Sequence, residues 1–242
     1  MSPAEHKILR ESEEQHWWYA VLHQLVLAEM HAHVKPGAAV LDAGCGTGGM
    51  MARLAKWDIQ GVDISAAAVS HCHERGLHEA RQASVCELPF PDASFDSVLS
   101  LDVLYHQEVH ETSALDEMAR VLRPGGLMIL NLPAMNCLRG AHDKAVCGSR
   151  RYTACHMRDL LRKRRFEVRM IHYWNAWLFL PLLAWRWWSR RSRECRSDLR
   201  SMPEMMNRIL MRAGHLDARL CRHVRPPFGS SIFAVAHRPE TV

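Results

Sequence analysis

The sequence predicts an α/β domain built on a parallel, doubly wound sheet. Three observations predict it. Val40-Leu41-Asp42 is a short apolar run that feeds the glycine turn Gly44-Cys45-Gly46-Thr47-Gly48-Gly49. A second run, Gly61-Val62-Asp63-Ile64, ends in an acid. From there, strand-length apolar runs alternate with segments of helical periodicity, the pattern of strands joined by crossover helices. A chain of 242 residues is long enough to bury a sizeable core of this kind.

Taken in order, residues 4 to 33 form a leading helical region. Trp18, Val21, Leu22, Leu25 and Val26 recur at helical spacing there, and Lys35-Pro36-Gly37 stops it. Ala39–Asp42 is the first strand, a helix follows from Gly48, Gln60–Asp63 is the second strand, and a helix begins at Ala66. A short strand lies near Arg81–Val85 and a longer one at Ser97–Leu101. Leu115, Met118, Ala119 and Leu122 stripe the next helix, with Asp116, Glu117 and Arg120 outward. Arg123-Pro124-Gly125-Gly126 turns the chain into a fifth strand at Leu127–Leu132. Residues 158–162 suggest a helix, Phe166–His172 a sixth strand and Ser231–Ala236 a seventh. Between the last two lie about fifty residues, far too many for a turn. The chain therefore divides into a helical leader (1–36), a core domain (37–173 and 230–242) and a helical insertion (174–229).

Composition narrows the function. The formal charge is +5, carried by five lysines and twenty-six arginines, with no lysine-rich tail or interleaved basic-aromatic platform. Nucleic acid is thus not the expected partner. Eight cysteines and sixteen histidines contain no C-x-x-C pair, and Cys155-His156 and Cys221-Arg222-His223 lack partners at zinc spacing, so no metal is expected. The polar start Met1-Ser2-Pro3-Ala4-Glu5-His6-Lys7 is not a secretory segment, and a cytoplasmic location with reduced cysteines is expected.

Gly44, Gly46 and Gly49 satisfy the dinucleotide pattern G-x-G-x-x-G literally, and Asp63 stands where an acid would hold a ribose. A nicotinamide cofactor is one reading. Against it, Asp42 would repel a pyrophosphate yet suits a cofactor that carries an ammonium group. The next basic residue, Arg53, lies well beyond the turn.

The segment from Glu87-Leu88-Pro89-Phe90-Pro91-Asp92 through Phe95-Asp96-Ser97-Val98-Leu99-Ser100-Leu101-Asp102-Val103-Leu104-Tyr105-His106 resembles the middle of class I S-adenosylmethionine-dependent methyltransferases. So does Arg120-Val121-Leu122-Arg123-Pro124-Gly125-Gly126 with the strand after it. With the two earlier motifs, four ordered matches span residues 40 to 133. The resemblance implies a Rossmann-like, seven-stranded sheet with an antiparallel last strand, a leader that closes as a lid, and S-adenosylmethionine as cofactor. It implies that Asp42, Gly44, Cys45, Gly46 and Gly48 surround the methionine moiety and that Asp63 accepts the ribose hydroxyls. Ile64 would pack on adenine, Ser84 and Val85 would recognise its edge, and Leu101 and Asp102 would border the reacting centre. Serine at 84 departs from the acid usual in the family. His106, just past the fourth strand, is the candidate general base, because histidine titrates near neutral pH. Tyr19, Tyr105 and Tyr152 are candidate substrate contacts, and Tyr105 stands where the family often has an acid.

His16-Trp17-Trp18-Tyr19, Arg151-Tyr152-Thr153, Tyr173-Trp174-Asn175 with Pro181, and Pro227-Phe228-Gly229-Ser230-Ser231 resemble a bacterial subgroup of these enzymes, of the small-molecule, methyltransferase type 11/12-like kind. The apolar stretch from Trp174 to Trp188 gives way to arginines 190, 191, 193, 196 and 200. It is too short and interrupted to span a bilayer. Three roles stay open for 174–200: peripheral membrane contact, a lid over a greasy substrate, or a packed cap or subunit contact that would make a homo-oligomer. The expected activity is methyl transfer to a small or lipid-like metabolite, with oxygen as the default acceptor, by in-line displacement driven by positioning. The alternatives are a non-catalytic scaffold or regulator that keeps the fold, and a nicotinamide oxidoreductase.

Overall fold

The computed structural model describes residues 10, 13–140, 143, 147–189 and 203–240. Seven strands form one sheet: β1 (Ala39–Ala43), β2 (Asp58–Asp63), β3 (Ala80–Gln82), β4 (Phe95–Leu101), β5 (Leu122–Pro133), β6 (Glu167–Trp174) and β7 (Ser231–His237). Their order is β3-β2-β1-β4-β5-β7-β6. The pairs β1–β2, β1–β4, β2–β3 and β4–β5 are parallel, and β7 runs antiparallel to both β5 and β6. This is the Rossmann-like sheet with an antiparallel last strand. The strand order reverses between β1 and β4, and the crevice above that point is where such sheets bind ligands.

The strands read out as the period-two pattern demands. In β5, Leu127 and Ile129 face one layer while Met128, Leu130 and Leu132 face the other. The first layer is the leader helix α1 (Trp17–His33), which buries Val21, Leu22, Val26 and Met30 against the sheet. Its end matches the Lys35-Pro36-Gly37 stop, with Gly37 at φ +79°. The opposite layer includes α3 (Glu111–Val121), which buries Ala114, Leu115, Met118 and Val121, and α4 (Ala154–Lys163), which buries Met157, Leu160 and Leu161. Between β2 and β3 lies α2 (Ala66–Glu74), capped at its start by the Ser65 hydroxyl, which accepts from Ala68 N–H at 3.3 Å.

Two expectations need correction. The helix from Gly48 is only a 3₁₀ turn, Met51–Arg53. Gly44, Gly46 and Gly48 all adopt positive φ to build the loop. Too few residues then remain before β2 for a helix and its return. The short third strand ends at Gln82, and Ser84 instead makes an isolated bridge to Glu87.

The long segment before β7 holds α5 (Phe179–Ser189) and α6 (Glu204–Val224). Trp174 belongs to β6 and the core. It is fully buried, and its indole N–H donates to Asn131 Oδ1 at 2.9 Å. Helix α6 packs on α1 at Gly214, where an added Cβ would meet Val21 Cγ2 at 2.9 Å. Asp217 ties α6 to the chain leaving β6, since its carboxylate accepts from Asn175 N–H at 2.6 Å and Trp177 N–H at 3.2 Å. Among the described residues, no helix is long and apolar enough to cross a membrane.

Candidate functional site

The glycine turn after β1 is built for close approach. Gly44 sits at φ +92°, and a Cβ there would lie 2.2 Å from Val103 Cγ2, so no other residue fits. Gly44 and Cys45 N–H groups donate to Val62 carbonyl at 2.8 and 2.9 Å, which fastens the turn to β2. At the end of β2, Asp63 closes the same corner. Its Oδ2 accepts from Gly46 N–H at 3.0 Å and its Oδ1 from Ser65 N–H at 2.9 Å. Two backbone donors fix the carboxylate, and its remaining lone pairs face a cavity.

That cavity measures about 600 Å³ and lies above the switch point. At its glycine end are Asp42, Gly44, Cys45, Gly46, Asp63 and Ile64, with Ser84 and Val85 beside them. Ile64 is 61% exposed, an apolar surface open to whatever fills the space. Burial pushes the Asp42 carboxyl up to about 7, and the nearby Glu13 and Asp63 push it the same way. A cationic ligand group would relieve that strain of like charges.

The leader clasps this end. Glu13 accepts from the Thr47 hydroxyl at 2.5 Å, and a Cβ on Gly49 would collide with its carboxylate. Burial raises the Glu13 carboxyl to about 7, partly offset by Thr47 and Arg75. Arg75 at the end of α2 also pairs with Glu14 at 2.7 Å. His16, Trp17, Trp18, Tyr19 and His23 of the leader all line the cavity.

At the end of β4, Leu101 and Asp102 form the floor of the middle section. Asp102 adopts φ +55°, a left-handed conformation uncommon for a residue other than glycine. Asn131 Nδ2 donates to Asp102 Oδ2 at 2.8 Å, and Asn131 is itself held by the Trp174 indole. Burial pushes the Asp102 carboxyl up to about 7 against the opposing pull of Asn131 and Arg151. Tyr105 and His106 follow on the wall, their rings 4.2 Å apart between centroids. The far end mixes Leu138, Leu178 and Leu182 with Arg186, Asp143 and Arg151, and Arg151 is clamped to Asp143 at 2.7 Å.

Of the residues singled out from sequence, Tyr19, Asp42, Gly44, Cys45, Gly46, Asp63, Ile64, Ser84, Val85, Leu101, Asp102, Tyr105 and His106 converge on this one cavity. Two do not. Gly48 faces α2, where a Cβ would meet Leu77 Cδ1 at 2.6 Å, so its part is to shape the turn. Tyr152 is fully buried in the core and donates its hydroxyl to Leu104 carbonyl at 3.0 Å. Its segment bridges to Ala134 beside the end of β5, which turns the ring inward. Sequence reasoning missed Glu13, His23, Asn131 and Asn175. His23 follows Tyr19 by one helical turn, a polar residue on a buried stripe, and that was the one local signal. Burial, with Arg53 and Arg75, lowers its imidazole to about 3, so it stays neutral. Among the described residues, no group of three His, Cys, Asp or Glu could hold a metal ion.

The tryptophan-rich helix is two-faced. Leu182 and Arg186 line the cavity, whereas Leu180, Trp185 and Trp187 are more than 60% exposed. The arginines at 190, 191, 193, 196 and 200 lie outside the described residues.

Residues 41–130 match the family model of a methyltransferase domain. The chain is 32% identical over 161 residues to the "Probable S-adenosylmethionine-dependent methyltransferase" of Mycolicibacterium smegmatis, covering 64% of this chain and 61% of that one. It is 37% identical over 106 residues to the "Probable tRNA methyltransferase 9B" of Mus musculus, covering 42% of this chain and 23% of that one. The chain thus spans less than two thirds of the length of these curated relatives. Among solved structures, a geranyl diphosphate C-methyltransferase from Streptomyces coelicolor A3(2) shares the fold, with a TM-score of 0.60 at 17% identity, covering 98% of this chain and 84% of that one.

Proposed function

We propose that this chain, whose residues 41–130 match a methyltransferase-domain model, is a class I S-adenosylmethionine-dependent methyltransferase that acts on a small or lipid-like acceptor. One observation carries the reading. A glycine-floored, acidic pocket end fixed by Asp63 opens without a break into an aromatic and aliphatic end lined by Trp18, Tyr19, Leu138, Leu178 and Leu182. The residues fit the cofactor. Asp63 presents lone pairs to a ribose diol, Ile64 an open apolar surface to a purine, and Asp42 a buried acid beside Glu13 and Asp63 to an ammonium group.

When bound, S-adenosylmethionine supplies a methyl on a sulfonium already activated for in-line displacement by a nucleophile. The protein's part is alignment and exclusion of water. The leader, clasped through Glu13 to Thr47, closes the pocket over Trp17, Trp18 and Tyr19. Helix α5 serves as the lid on the acceptor side, and exposed Trp185 and Trp187 support the refinement that 174–200 touches a membrane. His106 takes the acceptor proton, with Asp102, held by Asn131 on the same wall, as the second group able to do so. Oxygen is the expected acceptor atom.

The second reading is a non-catalytic binding module. Ser84 favours it, because a neutral hydroxyl that already accepts from Cys86 N–H at 3.1 Å stands where the family usually has an acid. Calorimetric titration with S-adenosylmethionine and S-adenosylhomocysteine tests both readings. Wild type is expected to bind saturably, and Asp63→Ala to bind at least about tenfold more weakly, as loss of a charge-assisted hydrogen-bond partner predicts. Binding with turnover in an acceptor screen that includes fatty acids and tRNA supports the enzyme. Binding without turnover on any acceptor favours the module, and no binding by well-folded protein overturns the cofactor assignment.

A further inference from the structure

Helix α6 carries a surface that the cavity does not use. Its 21 residues fall into three arcs, each about a third of the circumference at 3.6 residues per turn. The first arc holds Gly214, Asp217, Ala218 and Cys221, all buried against α1 and β6. The second holds Met205, Ile209, Leu216, Leu220 and Val224, which are 75, 57, 59, 53 and 74% exposed. The third holds Arg208, Arg212, Arg219 and Arg222, all exposed. The outward two thirds of the helix is therefore an aliphatic strip lying alongside a cationic one. Of its two acids, Glu204 pairs with Arg208, and Asp217 is buried and serves the backbone at Asn175 and Trp177. Arg222 pairs with Glu29 at 2.8 Å.

We infer that the outer face of α6 docks the protein on an anionic phospholipid bilayer. An aliphatic strip this long is uncommon on the surface of a soluble monomer and marks a contact. The neighbouring arginines select the kind of contact. A bilayer interface offers hydrocarbon and negative headgroups side by side, which is the order in which the helix presents its two strips. A second copy of this chain would bring a matching cationic strip against the first. An RNA strand would satisfy the arginines but leave five aliphatic side chains uncovered, since bases stack on aromatic rings and not on Met205, Ile209, Leu216, Leu220 or Val224. The surface differs from the tryptophan-rich α5, and Asp217 links it to the chain at Asn175, which lines the cavity.

The test is flotation of the full chain with phosphatidylcholine vesicles and with vesicles of phosphatidylcholine mixed with phosphatidylglycerol. Wild type should float only with the mixed vesicles, and added salt should weaken it. Arg212→Gln with Arg219→Gln should lower partition about thirtyfold, the effect of removing two surface arginines. Leu216→Ser with Leu220→Ser should abolish flotation. Both double variants change exposed side chains away from the cavity, and unchanged S-adenosylhomocysteine binding or an unchanged circular dichroism melt checks that they fold. Equal partition into both vesicle types overturns the proposal, as does flotation that survives the leucine changes. Absence of flotation by wild type overturns it too. Leucine-dependent dimerisation in its place would assign the face to a second copy, and arginine-dependent tRNA retention would assign it to RNA.

Discussion

Gly46 and Asp63 solve one problem together. A carboxylate that must grip a ligand has to be held still first, and the Gly46 and Ser65 N–H groups do this from two sides. Asp42 has the opposite condition, being fully enclosed by burial beside Glu13 and Asp63 with its carboxyl pushed up to about 7. It is half protonated near neutrality and becomes a full carboxylate above that. Affinity for S-adenosylmethionine should therefore rise as pH increases through about 7, and Asp42→Asn should flatten the rise. Titrations on both proteins at several pH values check this, and a wild-type profile that falls or stays level would sink it. These residues were legible in the sequence because a glycine turn and the acid after the next strand are local patterns. Glu13 and Asn131 were not, because they matter only through contacts with Thr47 and Asp102, 34 and 29 residues away. Tyr152 misled for the same reason. Its neighbours in sequence suggested a site, whereas its bridge to Ala134 places it in the core.

Among the elements, the joint between β6, α5 and α6 rests on one buried side chain. Asn175 turns through φ +56°, which leaves its own N–H and that of Trp177 without helix or sheet partners, and Asp217 accepts both. Asp217→Ala would strand one buried and one half-buried donor and should cost about 2–4 kcal/mol, read as a lower unfolding midpoint in urea. Glu204→Ala, which removes an exposed ion pair on the same helix, should change the midpoint little. Gly214→Val should also destabilise, by about 1–3 kcal/mol, because its branch would press into Val21 where α6 meets α1. The strands were readable because β1, β4 and β5 carry buried apolar runs bounded by turns, and the buried Gly61-Val62 pair before Asp63 marks the end of β2. The helix expected from Gly48 failed because positive-φ glycines and a short return were read as a helix start. The packing of α6 on the leader was not readable at all, since it joins residues nearly 200 apart, as Trp17 N–H to Asn207 Oδ1 at 2.8 Å shows.

Over the whole molecule, the fold gathers its raised acids along one cavity. Glu13, Asp42 and Asp102 all stand near 7, above ordinary values of 4.5, 3.8 and 3.8. A folded-state pKa above the unfolded one means that the native chain holds extra protons between about 4 and 7. That contribution to stability is full at low pH and is lost as pH climbs through the window. His23 and His172 act the other way, because burial lowers them to about 3 and about 4 and so favours folding as pH rises toward 6.5. Above about pH 6.5 the histidines have finished and the acids are still ionising, so the ligand-free protein should lose thermal stability between about pH 6.5 and 8. A cationic ligand beside Asp42 reverses part of that loss, because it binds the charged native form. The rise in melting temperature given by S-adenosylmethionine should hence be larger at about pH 8 than at about pH 6.5. S-adenosylhomocysteine, which keeps the ammonium group beside Asp42 but lacks the sulfonium charge, should show part of this difference between the two pH values. Differential scanning fluorimetry at fixed ligand concentration measures all of this. Equal shifts for both ligands at both pH values would mean that the acids lie too far from the bound cation to feel it. The charge pattern of the cavity would then be a matter of folding alone.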